Sequence, residues 1–399
     1  MRTNTSANSC PLSFDNTEIA FASKSDADLN RSYMLFTMVS RPSWVKFGKG
    51  LTNVALGLHL PISGLIKATI FKQFCGGENI EDCTKAIKAL GEYRIGTILD
   101  YSVEGKEAEE EFDKTAKETL DTVKRAANDV NIPFCVFKVT GLARFSLLEK
   151  VTAAGPLSPA EESEWAKVKN RVHLICKHAA ESGVPVFMDA EESWIQGAID
   201  NLANEMMQQF NTKKAIVYNT VQLYRKDRLN FIKISHGLAK QHQYHLGLKL
   251  VRGAYMEKER ERAALMSYPN PIQNSKEDSD KDYNTALDYC IENINDIAIC
   301  AGTHNEKSSL HLVHLMEKNN IQFNDKRVYF SQLLGMSDHI SYNLAQKGYN
   351  VAKYVPYGPV RDVLPYLIRR AEENTSVKGQ TGRELSLIIK EKQRRKKTY

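Results

Sequence analysis

Eight short segments rich in β-branched and aromatic residues recur along the chain, with helical spacing between them. They read RIGTILDYS (94–102), PFCVFKVTG (133–141), PVFMDAE (185–191), KAIVYNTVQ (214–222), LGLKLVRG (246–253), IAICAGTH (297–304), RVYFSQLLG (327–335) and NVAKYVPYG (350–358). Helical periodicity over 107–130, 163–182 and 306–320 illustrates what fills the intervals. Strands joined through helices pair in parallel, because a parallel pair needs a long crossover where an antiparallel pair needs only a hairpin. A count of eight predicts an α/β fold of the (β/α)8, TIM-type barrel class. A doubly wound open sheet is the alternative; it usually brings a Gly-rich phosphate loop, and neither GxGxxG nor GxxxxGK[ST] occurs. On the barrel reading, residues 1–92 form a helical N-terminal arm, 93–376 the catalytic barrel and 377–399 a basic C-terminal extension.

The formal net charge of +6 is local. KEKQRRKK (390–397) carries six cations and one anion, so five of those charges sit in the tail and about one is left for the rest. A basic body for nucleic acid is therefore not expected. The seven cysteines (10, 75, 83, 135, 176, 290, 300) are scattered, odd in number and without CxxC spacing, which points to reduced intracellular thiols. The first sixteen residues show neither a secretory nor a transit signal, so a cytoplasmic placement is expected. The apolar stretch 51–71 contains His59, Pro61 and Lys67, and reads as helical packing instead of a membrane span. The histidine pairs 242/245 and 311/314 have no convergent acidic ligand nearby in sequence, so no metal is expected.

Chemistry in a (β/α)8 barrel belongs at the C-terminal strand ends. Those ends carry Lys138, Asp189 with Glu191 and Glu192, Gln222, Lys249 with Arg252, Thr303 with His304, Leu333 and Tyr354. A lysine on a strand can simply snorkel to the rim. Several cations around one mouth are better explained by an anionic ligand. The stretch after the eighth strand strengthens this. Asp362 can cap a helix from Val363, with Pro365 in its first turn. On that helix Tyr366, Arg369, Arg370 and Glu373 share one face. An arginine pair on a helix is ordinarily a solvated face, but opposite a cationic barrel mouth it suits a carboxylate, which guanidinium grips bidentately.

MDAEE (188–192), KLVRGAY (249–255), THN (303–305), QLLGM (332–336) and YVPYGPVRDVLPYLIRRAEEN (354–374) together resemble the signature blocks of the proline dehydrogenase family, over about residues 90–376. The similarity is to the stand-alone enzymes related to the mitochondrial one. It implies a distorted barrel holding FAD at the strand ends and oxidation of L-proline to pyrroline-5-carboxylate, with hydride passing from the ring carbon to flavin N5. It implies that Arg369, Arg370 and Lys138 clamp the proline carboxylate and that Glu373 orients the arginine pair. Tyr354 and Tyr366 would wall the ring, with Leu333 packed on it. Asp189 and Lys249 would act with Lys138 at the reacting centre. Met188, Gln222, Lys249, Arg252, Gly253, Ala254, Thr303 and His304 match flavin contacts. Many bacterial relatives carry arginine first and lysine fourth in the strand-five block; here the order is Lys249 then Arg252. Relatives specialised for hydroxyproline look as if they have a smaller residue at Tyr354.

The resemblance also implies a quinone as electron acceptor at a membrane. The cationic tail could then hold the protein peripherally against the inner face of that membrane; a solvated, frayed tail is the equal alternative. A Schiff-base barrel lyase or aldolase using Lys138 or Lys249 would also want a strand lysine and an arginine clamp. Hydroxyproline dehydrogenase is the nearer rival.

Overall fold

The computed structural model describes residues 12–39, 63–102, 107–376 and 380–398. Its centre is a closed barrel in which eight parallel strands follow one another in chain order. The strands are β1 (Ile95–Tyr101), β2 (Phe134–Lys138), β3 (Val186–Asp189), β4 (Val217–Gln222), β5 (Leu246–Val251), β6 (Ile297–Gly302), β7 (Val328–Leu333) and β8 (Val351–Tyr357). Every one falls inside its predicted segment. The barrel closes by β1 pairing with β8 from Ile95↔Val351 to Tyr101↔Tyr357. Helices occupy the intervals. The helix Pro159–Ser182 starts four residues before its predicted span, at a Ser158 capping box with proline in its first turn, and Gly183 ends it in the left-handed region.

The alternation of strand side chains sorts the barrel into two cores. Outward positions such as Leu99, Cys135, Met188, Val217 and Leu248 pack against the helices. Inward positions Ile98, Phe134, Val136, Phe187, Tyr218 and Ala352 fill the lumen. Phe134 and Phe187 stack there with ring centroids 4.4 Å apart, and Tyr218 and Tyr329 meet Phe134 edge-on. This aromatic floor closes the N-terminal end. Continuing up the same inward columns, Phe134 and Val136 lead to Lys138, Phe187 leads to Asp189, and Ile98 leads to Asp100. Lysines and carboxylates are thus confined to the last inward layer, at the C-terminal mouth.

The arm and the C-terminal segment both pack on that mouth. A helical run of Ser63–Ile66, a π turn at Lys67–Phe71 and Lys72–Phe74 brings Phe71 and Phe74 against Val363, Tyr366 and Leu367. These belong to the segment that opens the helix Leu364–Ser376, which begins one residue later than predicted. Most of the apolar stretch 51–71 lies outside the described residues. Among the described residues no helix is long and apolar enough to cross a membrane.

The C-terminal extension departs from a frayed tail. It forms the helix Gln380–Thr398, whose Leu387 and Ile388 are buried against Leu29 and Phe36 of the helix Asp26–Val39. Its Glu391 is fully buried and accepts hydrogen bonds from Arg394 and Arg395. Arg395 reaches on to Asp26 at 2.8 Å. The apolar run LSLII (385–389) was hidden among the charges of this segment.

Candidate active site

The mouth of the barrel encloses a cavity of about 950 Å3, at the upper end of the size range of ligand pockets. It is lined by Lys138, Leu333, Tyr354, Tyr366, Arg369 and Arg370, and by Gln222, Lys249, Arg252, Gly253, Thr303 and His304. Ala254 and Asp189 also line it. Met188 is the correction to the predicted set. Its odd position in β3 turns the side chain outward into the barrel–helix core, away from the cavity. The Glu373 side chain lies outside the described residues.

Asp189 is the hub. Its Oδ1 accepts from the Lys249 ammonium and, at 3.3 Å, from Thr220 Oγ1, and its Oδ2 accepts from the Tyr354 hydroxyl. Burial pushes this carboxyl up, but the charges of Lys249 and Lys138 and the hydrogen bonds outweigh it and hold it below its ordinary value. Burial and the carboxylates of Asp100 and Asp189 raise the Tyr354 phenol well above its ordinary value, so it stays a donor. Lys249 also lies 4.6 Å from the centre of the Tyr354 ring and 5.2 Å from that of Phe187. The three side chains thus form one rigid unit in the last inward layer.

Arg252 is fixed as firmly. Its guanidinium donates to Asp280 at 2.6 Å, Thr303 Oγ1 at 2.7 Å and Ser308 Oγ at 2.9 Å, and stacks 4.3 Å over Tyr283. Gly253 follows with φ +141°, and a side chain there would collide with the Tyr224 ring, so this turn leaves bare backbone facing the cavity. The Gln222 amide oxygen is buried without a protein hydrogen-bond partner, which is costly unless a ligand supplies the donor. Burial first, then Lys353, Arg370 and neighbouring cations, push His304 down to about 3, so its imidazole is neutral. A wall with an unmet acceptor, bare backbone and fixed cations fits an anionic, hydrogen-bonding cofactor such as a flavin.

Arg370, which also lines the cavity, is buried, with its guanidinium 5.2 Å from the Tyr366 ring centre. Arg369 stands beside it, partly exposed. Lys138 closes the clamp from β2 and pairs with Asp100 at 3.5 Å. Asp100 was not among the predicted residues, although a carboxylate inside TILDY carries the same signal as a lysine inside CVFKV. Lys353 was missed in the same way. It points outward from β8, fully buried, and joins Asp338 at 2.8 Å. Glu191 and Glu192 are buried beside the mouth but do not line it: Thr140 holds Glu191 and Lys258 holds Glu192. The six cysteines among the described residues are buried, and burial raises Cys300 to about 11 and Cys135 to about 12, so neither is a ready nucleophile.

A family model described as proline dehydrogenase matches residues 83–383. The chain belongs to the proline dehydrogenase family. As a member it is an oxidoreductase of proline catabolism, acting at its first step. It is similar to "Proline dehydrogenase 1, mitochondrial" of Dictyostelium discoideum, with 33% identity over 97% of this chain and 76% of the relative. It is also similar to "Hydroxyproline dehydrogenase" of Xenopus laevis, with 32% identity over 94% of this chain and 88% of the relative. Among solved structures, proline utilization A from Bdellovibrio bacteriovorus, inactivated by N-propargylglycine, superposes with a TM-score of 0.71 at 21% identity. That likeness covers 90% of this chain but 38% of the other, so the chain spans well under half of that longer protein. It supports the barrel fold. Membership of the family implies a flavin, in keeping with the wall described above.

Proposed function

We propose that this chain oxidises L-proline to pyrroline-5-carboxylate with FAD held along the Gln222–Arg252–His304 wall. One observation carries this reading: Arg369, Arg370 and Lys138 line the same cavity as Gln222, Arg252 and His304. The clamp binds the substrate carboxylate, fixing one end of a small amino acid so that its ring meets the Gln222–Arg252–His304 wall. Tyr354 and Tyr366 flank the ring, and Leu333 packs against it. Lys249 is held by Asp189, so its positive charge stays fixed beside the reacting centre. FAD, when bound, takes up the hydride lost from the ring carbon next to nitrogen. Gln222, Thr303, Gly253 and Ala254 would hold it, with Arg252 and Lys249 supplying the positive charge that favours its reduced, anionic form.

The electron acceptor in this proposal is a quinone. The cytoplasm is the proposed compartment, with contact at the inner face of a membrane. Arg394 and Arg395 are engaged within the protein, so the exposed Lys396 and Lys397 would carry any attraction to an anionic bilayer. A soluble ubiquinone analogue reduced in a proline-dependent way supports this acceptor; turnover with dyes alone overturns it.

The decisive experiment is the visible spectrum of the purified protein mixed with FAD. Flavin bands that bleach on anaerobic addition of proline support the reading. A colourless protein that turns over a carbonyl substrate and is trapped by borohydride supports the Schiff-base rival. Hydroxyproline oxidation is the second reading, favoured by the similarity to the Xenopus enzyme. Against it stands Tyr354, a full-sized ring fixed by Asp189.

A further inference from the structure

The C-terminal helix sends Arg383 into the barrel mouth and buries the adjacent Glu384 against Ser337. Arg383 lines the cavity and donates to Glu306 Oε1 at 2.7 Å and Oε2 at 3.2 Å. Glu306 stands two residues beyond His304, where the loop after β6 enters the helix Glu306–Lys318, and its Oε1 meets His339 Nε2 at 3.0 Å. Glu384 is buried, and its Oε1 accepts the backbone N–H of Ser337, on the loop after β7, at 2.5 Å. The Ser337 hydroxyl in turn contacts His304 Nδ1 at 3.0 Å. Two adjacent residues of one helix therefore hold both loops that bracket the His304 imidazole.

Ser337 needs such a hold. It is fully buried and sits at φ +51°, a left-handed conformation that a residue with a Cβ adopts at a cost. The loop before it is fixed from elsewhere. Lys353 donates to the carbonyls of Leu333 and Met336, and Gln73 donates to that of Gly335. Glu384 fixes Ser337 itself through its backbone N–H.

We propose that Glu384 is a positioning residue: through Ser337 it orients the His304 imidazole toward the cofactor. The inference rests on the flavin reading above. With Nδ1 engaged by Ser337, Nε2 is the ring nitrogen left for a ligand in the cavity. An orienting partner one bond removed from a contact residue tightens binding without touching the ligand.

The test is a pair of double-mutant cycles read by FAD titration of flavin-free protein, with thermal melting as the check on folding. Glu384→Ala should weaken FAD binding about 10-fold, the order expected for one lost buried hydrogen bond. Glu384→Gln, whose amide oxygen still accepts the Ser337 N–H, should stay within about 2-fold. Ser337→Ala keeps the backbone bond and deletes the hydroxyl, so it should also lose about 10-fold. In a His304→Ala background, Glu384→Ala and Ser337→Ala should each change binding by less than about 2-fold, because the group they orient is gone. Equal losses with and without His304 would overturn the proposal and assign Glu384 to stability alone. Should Glu384→Ala not fold, Glu384→Asp, whose shorter side chain withdraws the carboxylate from the Ser337 N–H, takes its place in the same cycle. Failure of the unmodified chain to bind FAD would remove both this inference and the flavin reading. FAD binding with additive cycles removes only this one.

Discussion

Tyr354 is held at two points, its hydroxyl on Asp189 and its ring under Lys249. A ring so fixed is a wall that cannot swing aside for a 4-hydroxyl group. Tyr354→Ser should lower kcat/KM on proline and narrow the ratio between proline and 4-hydroxyproline, since discrimination resides in relative transition-state binding. An unchanged ratio would show that Tyr354 is not the selector. The arginine pair makes a separate prediction. Arg369→Met or Arg370→Met should keep flavin bound and raise KM for proline steeply. Loss of a charge-assisted contact that leaves its partner charge buried costs on the order of 2–5 kcal/mol. Near-normal KM in steady-state kinetics for either variant would make that residue surface. Arg370, the more buried of the two, should show the larger effect.

At the scale of elements, Leu387 and Ile388 join the C-terminal helix to the arm, and Glu384 joins it to the barrel. Leu387→Ala should cost ~2–4 kcal/mol of stability by opening a cavity in that small cluster. It should also reduce flavin retention, because the helix carries Arg383 into the mouth and Glu384 onto Ser337; urea melts and flavin content check the two effects. A melt shifted without loss of flavin would show the helix is only a brace. This coupling was the part of the molecule least legible in sequence. The eight strands were legible because β-branched runs such as KAIVYNTVQ, bounded by polar turns, have one sensible use between two helices. The clamp was legible because Tyr366, Arg369 and Arg370 share a helical face whatever the rest does. Met188 was misplaced because a motif names a neighbourhood, while the period of two decides which of two adjacent side chains enters the lumen. Lys353 and Asp100 went unseen though each is a charge inside an apolar strand. Only the fold shows that Lys353 faces outward to a buried aspartate while Asp100 faces the cavity. The packing of KEKQRRKK was masked because its charges are matched by Glu391, Glu18 and Asp26, two of them far away in sequence.

Across the whole molecule, buried carboxylates pull stability in opposite directions with pH. Burial raises Asp189 and Asp338, but the lysines beside them win and hold both below their ordinary values. Burial likewise raises Glu306, but hydrogen bonds from His339 and Arg383 win and hold it at about 2. These groups add stability above the unfolded carboxylate range near pH 4, and that stability is lost as pH falls through their folded values. Glu191 is the reverse. Burial raises it from 4.5 to about 7, against the bonds from Thr140. Below pH 4.5 it is protonated in both states. Between 4.5 and 7 the unfolded chain ionises first, so stability falls as pH rises, and above 7 the loss is complete. At ~1.4 kcal/mol per pKa unit that limb is on the order of 3 kcal/mol. The His304 imidazole, held at about 3, works against this limb below its unfolded value of 6.5, so the Glu191 contribution is read as the difference between variant and wild type. Glu191→Gln keeps an acceptor for the Thr140 N–H and cannot ionise, so it should flatten the limb from pH 4.5 to 7 and stabilise the protein at pH 8. Urea unfolding at pH 5 and pH 8 measures both effects, and a Gln variant that retains the full wild-type difference between the two would remove Glu191 as the source.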